Sequence, residues 1–350
     1  MLKKTSDHPS RRSLLDFGAK AAAAASLSGL LAPVSRAAGP ERACVCIYLL
    51  GGNDSNNMIV PLDAEAYQAY ARGRGSLALP HQSLHPIKAP TTSANYGFHP
   101  ALAGLQDLYN RGVLAVVANV GREDRPLSKG RFNVNELPSD LFLHTGASQV
   151  RYLPQGRLAI AWDPDASSTP MMPNLTVNMG SSLSYRLARI TDELSGRNSR
   201  TTFTLTLSGF DTHSDELRRQ AALFADLNDG LVTFYERLQH IGLADRVTVF
   251  TSTEFNRTLA PNKNGGAEHA WGGHNLVVGG SVRGGDVYGR FPSLELGGAD
   301  DLGSNGVWIP SISDQQYSAT IARWYGISDL SASFPDLDNF SQQDVEFLAS

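Results

Sequence analysis

Residues 251–280 read TSTEFNRTLAPNKNGGAEHAWGGHNLVVGG, where a short apolar run gives way to a dense mixture of Glu, Arg, His, Asn and Gly. The run that feeds this stretch, 246–251 (RVTVFT), is β-branched and apolar on both parities, the pattern of a strand covered on both faces in a parallel sheet. Ligands in open α/β sheets sit beyond the carboxyl ends of the strands, so Glu254 and Arg257 fall where chemistry is usually done. Gly265-Gly266 and Gly272-Gly273 let the backbone turn tightly around His269 and His274, and 276–278 resumes a buried strand. Neutral imidazole nitrogen and carboxylate oxygen are the donors that zinc and similar divalent ions take. The spacing of His269 and His274 in a Gly-rich loop matches no helix-borne zinc motif.

Three more apolar runs end in the same way. Residues 43–50 (ACVCIYLL) stop at Gly51-Gly52-Asn53-Asp54, which puts a carboxylate just past a first core strand. Residues 113–120 (VLAVVANV) lead into a loop carrying Ser128-Lys129, and 202–207 (TFTLTL) end in Gly209-Phe210-Asp211-Thr212-His213. An Asp and a His two residues apart at a strand end can both reach one metal; the alternative reading is a capping cluster for the helix that follows. In a parallel sheet such runs end on one edge, so Asp54, Asp211, His213 and His274 are expected to share a site, with His274 preferred to His269 because it directly precedes a strand.

Helical spacing marks 64–71, 101–110, 216–241 and 313–325. Between 132 and 200 periodicity is poor, and Pro138, Pro154, Pro164, Pro170 and Pro173 interrupt it. This reads as an irregular insertion over the sheet, with His144 and Arg151 its most chemically interesting residues. Cys44 and Cys46, alternate residues of one strand, lie too far apart for an unstrained bridge and read as buried free thiols.

A chain that is 41% hydrophobic and 18% charged, with net charge −4, is an ordinary globular one with no basic patch for nucleic acid. After the N-terminus no stretch is apolar for long enough to span a bilayer. The first residues read as an address. Ser10-Arg11-Arg12-Ser13-Leu14-Leu15 has the twin-arginine form, a weakly hydrophobic Ala/Leu-rich segment follows, and cleavage after Ala37 is plausible. The expected layout is a signal peptide over 1–37 and a single α/β domain over 41–345, exported to the periplasm or beyond, with the twin-arginine translocase as partner.

The segments LGGNDSNNMIVP (50–61), HPALAGLQDLYNRGVLAVVANVG (99–121), GFDTH (209–213), TEFNRT and HAWGGHNLVVGG within 251–285, and QYSATIARWYG (316–326) together resemble the twin-arginine-exported family called domain of unknown function 1501. That family is remotely similar to the alkaline phosphatase and sulfatase superfamily. The resemblance implies a large, mostly parallel sheet between helices with a divalent-metal site at the strand ends. It implies Asp54, Asp211, His213, Glu254 and either His269 or His274 as metal ligands. Ser128 stands at the nucleophile's place, Lys129 is its basic partner, and Arg257 or Lys129 would neutralise charge on the equatorial oxygens of a small anionic ester. Phe255 stands where the superfamily has a histidine. Mixed oxygen and nitrogen donors favour zinc or manganese over magnesium.

Two functions are therefore expected to compete: a metal-dependent hydrolase of phosphate or sulfate esters, and a non-catalytic periplasmic binding or assembly protein on the same fold with a degenerate metal site. Export is tested independently of either. Replacing both Arg11 and Arg12 with Lys is expected to strand the precursor in the cytoplasm; recovery from the periplasm at the unaltered level would show the pair to be incidental.

Overall fold

The computed structural model describes residues 41–130, 137, 141–144, 181–331 and 333–349. The proposed signal peptide and Arg151 lie outside them, as does most of the segment 132–200.

Strand β1 (Ala43–Leu50) is the first strand of the main sheet. Its residues carry no hydrophobic alternation because both faces are covered. Ala43, Val45, Ile47 and Leu49 join one apolar cluster, while Cys44 and Cys46 join a second one on the opposite face. The two thiols are free and buried, and burial pushes both upward, which leaves them poor nucleophiles.

After β1, the chain makes β2 (Ile59–Pro61), helix α1 (Ala64–Arg74), β3 (His85–Lys88), β4 (Asn95–Phe98), α2 (Ala103–Asn110) and β5 (Leu114–Gly121). It continues through α3 (Leu183–Ser195), β6 (Thr201–Ser208), α4 (Glu216–His240), β7 (Val247–Thr253), the two-residue strands β8 (Asn256–Arg257) and β9 (His269–Ala270), and β10 (Gly273–Val278). The short strands β11 (Val287–Tyr288) and β12 (Ile312–Ser313) precede α5 (Asp314–Tyr325). The main sheet has the order β11-β5-β10-β7-β1-β6, with β12 also on β5. β1 is parallel to β6 and β7, whereas β10 is antiparallel to both β5 and β7.

The sheet is thus mixed, and the expectation of a mostly parallel one is corrected. The reason is local. The ribbon β8–β9 turns the chain straight back after β7, with Arg257 opposite His269, so β10 re-enters the sheet beside β7 in the reverse direction. No crossover helix in this connection carries the chain back to the opposite edge, as a parallel return would require. The consequence for function is that β1, β6, β7 and β5 still finish at one edge, and β10 starts there.

Helices cover both faces. Leu183, Leu187, Ile190 and Leu194 of α3 and Phe224, Leu227, Leu231, Phe234 and Leu238 of α4 pack on one side. Tyr317, Ile321 and Trp324 of α5 pack on the other. Helix α3 corrects the reading of 132–200 as irregular throughout: its apolar residues recur at helical spacing, and Ser182 caps it by accepting from the Tyr185 N–H. Likewise α1 runs past the expected residue 71 to Arg74, a charged residue in its last turn that turns out to be fully buried. The stretch after α1 contributes β3 to a small antiparallel sheet in the order β2-β4-β3. Among the described residues no helix is long and apolar enough to cross a membrane.

Helix α5 begins with a full capping box, in which the Ser313 hydroxyl accepts from the Gln315 N–H and Gln316 Oε1 accepts from the Ser313 N–H. The Ser313 hydroxyl also donates to the carbonyl of Glu123, just after β5. That docking buries the Glu123 carboxyl, and desolvation, with Asp314 and Asp124 adding repulsion, pushes it up to about 9. An acid whose folded pKa is raised favours the native state most when protonated. Stability is then full below the unfolded value of 4.5 and falls as pH rises toward 9, by at most about 1.4 kcal/mol per pH unit. Glu123→Gln is expected to flatten this decline in urea melts taken between pH 5 and 9; an unchanged pH profile would refute the assignment.

Candidate functional site

The loops at the strand-end edge are built on glycine. Gly51 has φ +114°, and a Cβ there would collide with the Asp211 amide nitrogen; a Cβ on Gly266 would strike the backbone of His213. These close approaches bring the loops after β1 and β6 and the ribbon β8–β9 into contact.

At their junction stands the Asp211 carboxylate, ringed by three imidazoles. His213 Nε2 lies 3.0 Å and His269 Nε2 3.5 Å from Asp211 Oδ1, and His144 Nε2 lies 3.6 Å from Asp211 Oδ2. His213 Nε2 and His269 Nε2 are 3.1 Å apart. One donor atom each from His144, Asp211 and His269 falls in a group whose members are all within 4.8 Å of one another. The far nitrogen of every ring meets an acceptor. His144 Nδ1 is 3.0 Å from Glu254 Oε2, His213 Nδ1 is 2.9 Å from Glu268 Oε2, and His269 Nδ1 is 2.7 Å from the Phe142 carbonyl. In the neutral tautomer with the ring proton on Nδ1, which these acceptors would receive, the three Nε2 atoms present lone pairs toward the carboxylate.

Facing lone pairs 3.1 Å apart repel unless a cation lies between them. Tetrahedral donors at 2.0–2.2 Å from one ion stand about 3.3–3.6 Å from each other, close to the separations found here. The donor chemistry therefore fits a divalent ion of the zinc kind. His213, His144 and Asp211 keep 40%, 39% and 46% of their side chains exposed, so the group is open to a ligand from solvent.

Arg257 underlies the group. Its fully buried guanidinium donates to Asp211 Oδ1 (2.6 Å), to the carbonyls of Gly52 and Ala267 (both 3.1 Å) and to that of Gly51, and its Nη1 lies 3.4 Å from His213 Nε2. Desolvation alone would raise the Asp211 pKa, but the hydrogen bond and charge of Arg257, with His213 and His144, bring it below the usual carboxylate range. His269 is held below its ordinary value, first by desolvation. The ring of Phe255, where a histidine was implied, stacks on His269 at 4.2 Å between centroids and fixes its plane.

Four of the expected ligands thus come together: Asp211, His213 and His269 directly, and Glu254 behind His144. Asp54 and His274 do not join them. Asp54 is fully buried in an ion pair with Arg74, whose Nη2 is also 3.3 Å from Glu216 Oε1. Arg74 donates besides to Asn57 Oδ1 and to the carbonyls of Thr258 and Leu259. Desolvation and the Asp54 charge raise Glu216 against the opposing charge of Arg74. A guanidinium occupies the cation position beside Asp54. His274 is buried with its ring stacked on Phe291, and its Nδ1 accepts from the Asn119 N–H; burial lowers it to about 3, which makes it a neutral core histidine.

Of the residues expected to be catalytic, Arg257 and Lys129 are held by protein groups. Arg257 spends its N–H groups on protein acceptors and is closed to a substrate. Ser128 and Lys129 lie in the exposed loop after β5, where Lys129 Nζ donates to the carbonyls of Gly297 and Gly298 (2.8 and 2.9 Å). No hydrogen bond or ion pair among the described residues connects Ser128 to the imidazole group. What sequence reading missed is the role of His144, Glu268 and Arg74. His144 sits in a segment without periodicity, and nothing in its spacing points to Asp211.

Residues 186–331 match the family model described as "Protein of unknown function (DUF1501)". The match supports that family for the stretch from α3 past α5, which includes Asp211, His213, Glu254, Arg257 and His269. No curated protein matches the chain. Among solved structures, the crystal structure of Ps i-CgsB in complex with k-i-k-neocarrahexaose matches over 83% of this chain and 73% of that one, at 10% identity and a TM-score of 0.32. A TM-score of that size does not establish a shared fold.

The Arg74 trio yields a stability prediction. Arg74→Met leaves Asp54 uncompensated in the interior and is expected to cost about 3–5 kcal/mol in urea unfolding. Adding Asp54→Asn should restore part of that loss. If the double variant is no more stable than the single one, the charge argument is wrong.

Proposed function

We propose that this chain is an exported metal-dependent hydrolase of phosphate or sulfate esters, on a fold remotely related to the alkaline phosphatases and sulfatases, with one ion held by His144, Asp211, His213 and His269. The observation that carries the reading is the convergence of three Nε2 lone pairs on one carboxylate, each ring anchored through Nδ1 by an acceptor. Zinc and manganese suit these donors best. When bound, the ion would supply Lewis acidity to an anionic ester.

The chain's own residues do the rest. Glu254, Glu268 and the Phe142 carbonyl hold the Nδ1 protons and so keep the Nε2 atoms free to ligate. Arg257 orients Asp211 and leaves Oδ2 open. With Ser128 outside the group, water is the attacking nucleophile in this reading. The twin-arginine address, through Arg11-Arg12, fits a protein that takes up a metal before crossing the membrane, and it makes the translocase the transient partner and the periplasm the destination.

One observation favours the non-catalytic alternative: arginines already neutralise both strand-end aspartates, Arg74 at Asp54 and Arg257 at Asp211. Metal analysis of protein recovered from the exported fraction separates the readings. Zinc or manganese at one equivalent is expected, with His269→Ala lowering zinc affinity on the order of 10–100-fold or more. Hydrolysis of 4-nitrophenyl phosphate or sulfate should be lost on chelation and restored by the metal. Tight metal binding with no hydrolysis of either ester would select the binding protein; failure to bind zinc, manganese or calcium at micromolar concentration would end the metal reading.

A further inference from the structure

Beside the imidazole group, the same sheet edge holds a cavity of about 80 Å³, enclosed by the ends of β1, β5 and β7, the start of β10 and the first turn of α5. We propose that this cavity binds the alcohol part of the ester, and that this part is a small polyol. The inference rests on the hydrolase reading for the position of the ester and on the cavity itself for the chemistry of its alcohol.

Glu254 links the two sites. Its Oε2 is engaged by the Gly51 N–H at 2.9 Å and by His144, while the residue also lines the cavity. The side chain is 1% exposed, and its second oxygen, Oε1, is buried with no hydrogen-bond partner among the described residues. A buried carboxylate oxygen without a partner calls for a donor. Desolvation raises this carboxyl above its usual range, against the opposing effect of His144. A hydroxyl can serve it whether it is ionised or protonated, since a hydroxyl both donates and accepts.

Charge argues against the anionic end of the substrate lying here. Arg122 is the one cation among the lining residues and is offset by Asp314 and Glu254. The walls suit a hydroxylated carbon chain: Ser252, Asn275 and Ser318 present hydroxyl and amide groups between the rings of Phe255, Trp271 and Tyr317. At one probe sphere per 10–15 Å³, the space holds roughly half a dozen water-sized atoms, the size of glycerol or of part of a sugar ring.

The test compares sn-glycerol 3-phosphate with propyl phosphate, which lacks the two hydroxyls, on the metal-loaded mature protein. A site that hydrogen-bonds hydroxyls should favour the glycerol ester in kcat/KM by at least about tenfold. Ser318→Trp, which fills the cavity, should bring the ratio close to one; if that variant does not fold, Asn275→Leu gives the same readout. Saturation-transfer NMR with free glycerol against 1-propanol reads the cavity without any hydrolysis, and preferential transfer to glycerol that is lost in the variant is expected. Hydrolysis of both esters at equal kcat/KM would overturn the polyol inference and leave the hydrolase reading intact. No hydrolysis of either ester or of 4-nitrophenyl sulfate, with glycerol still bound in preference to propanol, would sink the hydrolase reading alone. Equal transfer to glycerol and propanol would refute the polyol site whatever the hydrolysis result.

Discussion

The guanidinium of Arg257 is the constraint on which the strand-end edge depends. It is fully enclosed, and burying a cation is costly unless acceptors surround it. Here they come from three separate segments: the carbonyls of Gly51 and Gly52 after β1, Asp211 after β6, and the Ala267 carbonyl ahead of β9. Each segment is irregular by itself. Together they are held in one geometry because releasing any of them would leave a buried donor without a partner. That is how Asp211 and His213, on one segment, come to face His269 on another.

Much of the scaffold was legible in the sequence for a simple reason. Strands covered on both faces are apolar at every position, so 43–50, 113–120, 202–207 and 246–251 stood out as continuous runs, and each lies within one or two residues of an observed strand. Direction was less legible. The same apolar run serves a parallel or an antiparallel neighbour, and the connection between β7 and β10 is long enough for either, so only the observed β8–β9 ribbon shows that β10 runs backward. Helix α3 went unseen because the Pro-rich stretch ahead of it lowered the apparent periodicity of the whole segment, although Leu183, Leu187, Ile190 and Leu194 carry the helical repeat.

Within the site, sequence could indicate which residues leave strand ends but not what they meet there. Asp54 and Asp211 follow apolar strands in the same way and earned the same reading. What separates them is depth. Asp54 lies at 0% exposure under α1, whose last turn delivers Arg74, and the pairing of a long helical side chain with a distant loop leaves no local trace. His274 looked the better ligand because a strand follows it directly. That same placement draws it into the sheet, where Phe291 and Asn119 take up its ring, while His269, farther out in the loop, stays beside solvent.

The contrast between the two aspartates bears on what the edge can do. The Asp54 carboxylate is already paired with a guanidinium: adding a divalent ion there would require expelling Arg74, which has four other acceptors around it in the interior. Asp211 is closed on one oxygen only. Its Oδ1 takes the Arg257 hydrogen bond, while Oδ2 faces His144 in a half-exposed setting, and His213 Nε2 and His269 Nε2 stand 3.1 Å apart beside it. Electrostatics therefore concentrates the unfulfilled demand for positive charge at a single point, among His144, Asp211, His213 and His269. On the metal reading, a second ion of the kind that pairs with a first-strand aspartate would have to displace Arg74, so among the described residues that reading leaves room for one ion at this edge.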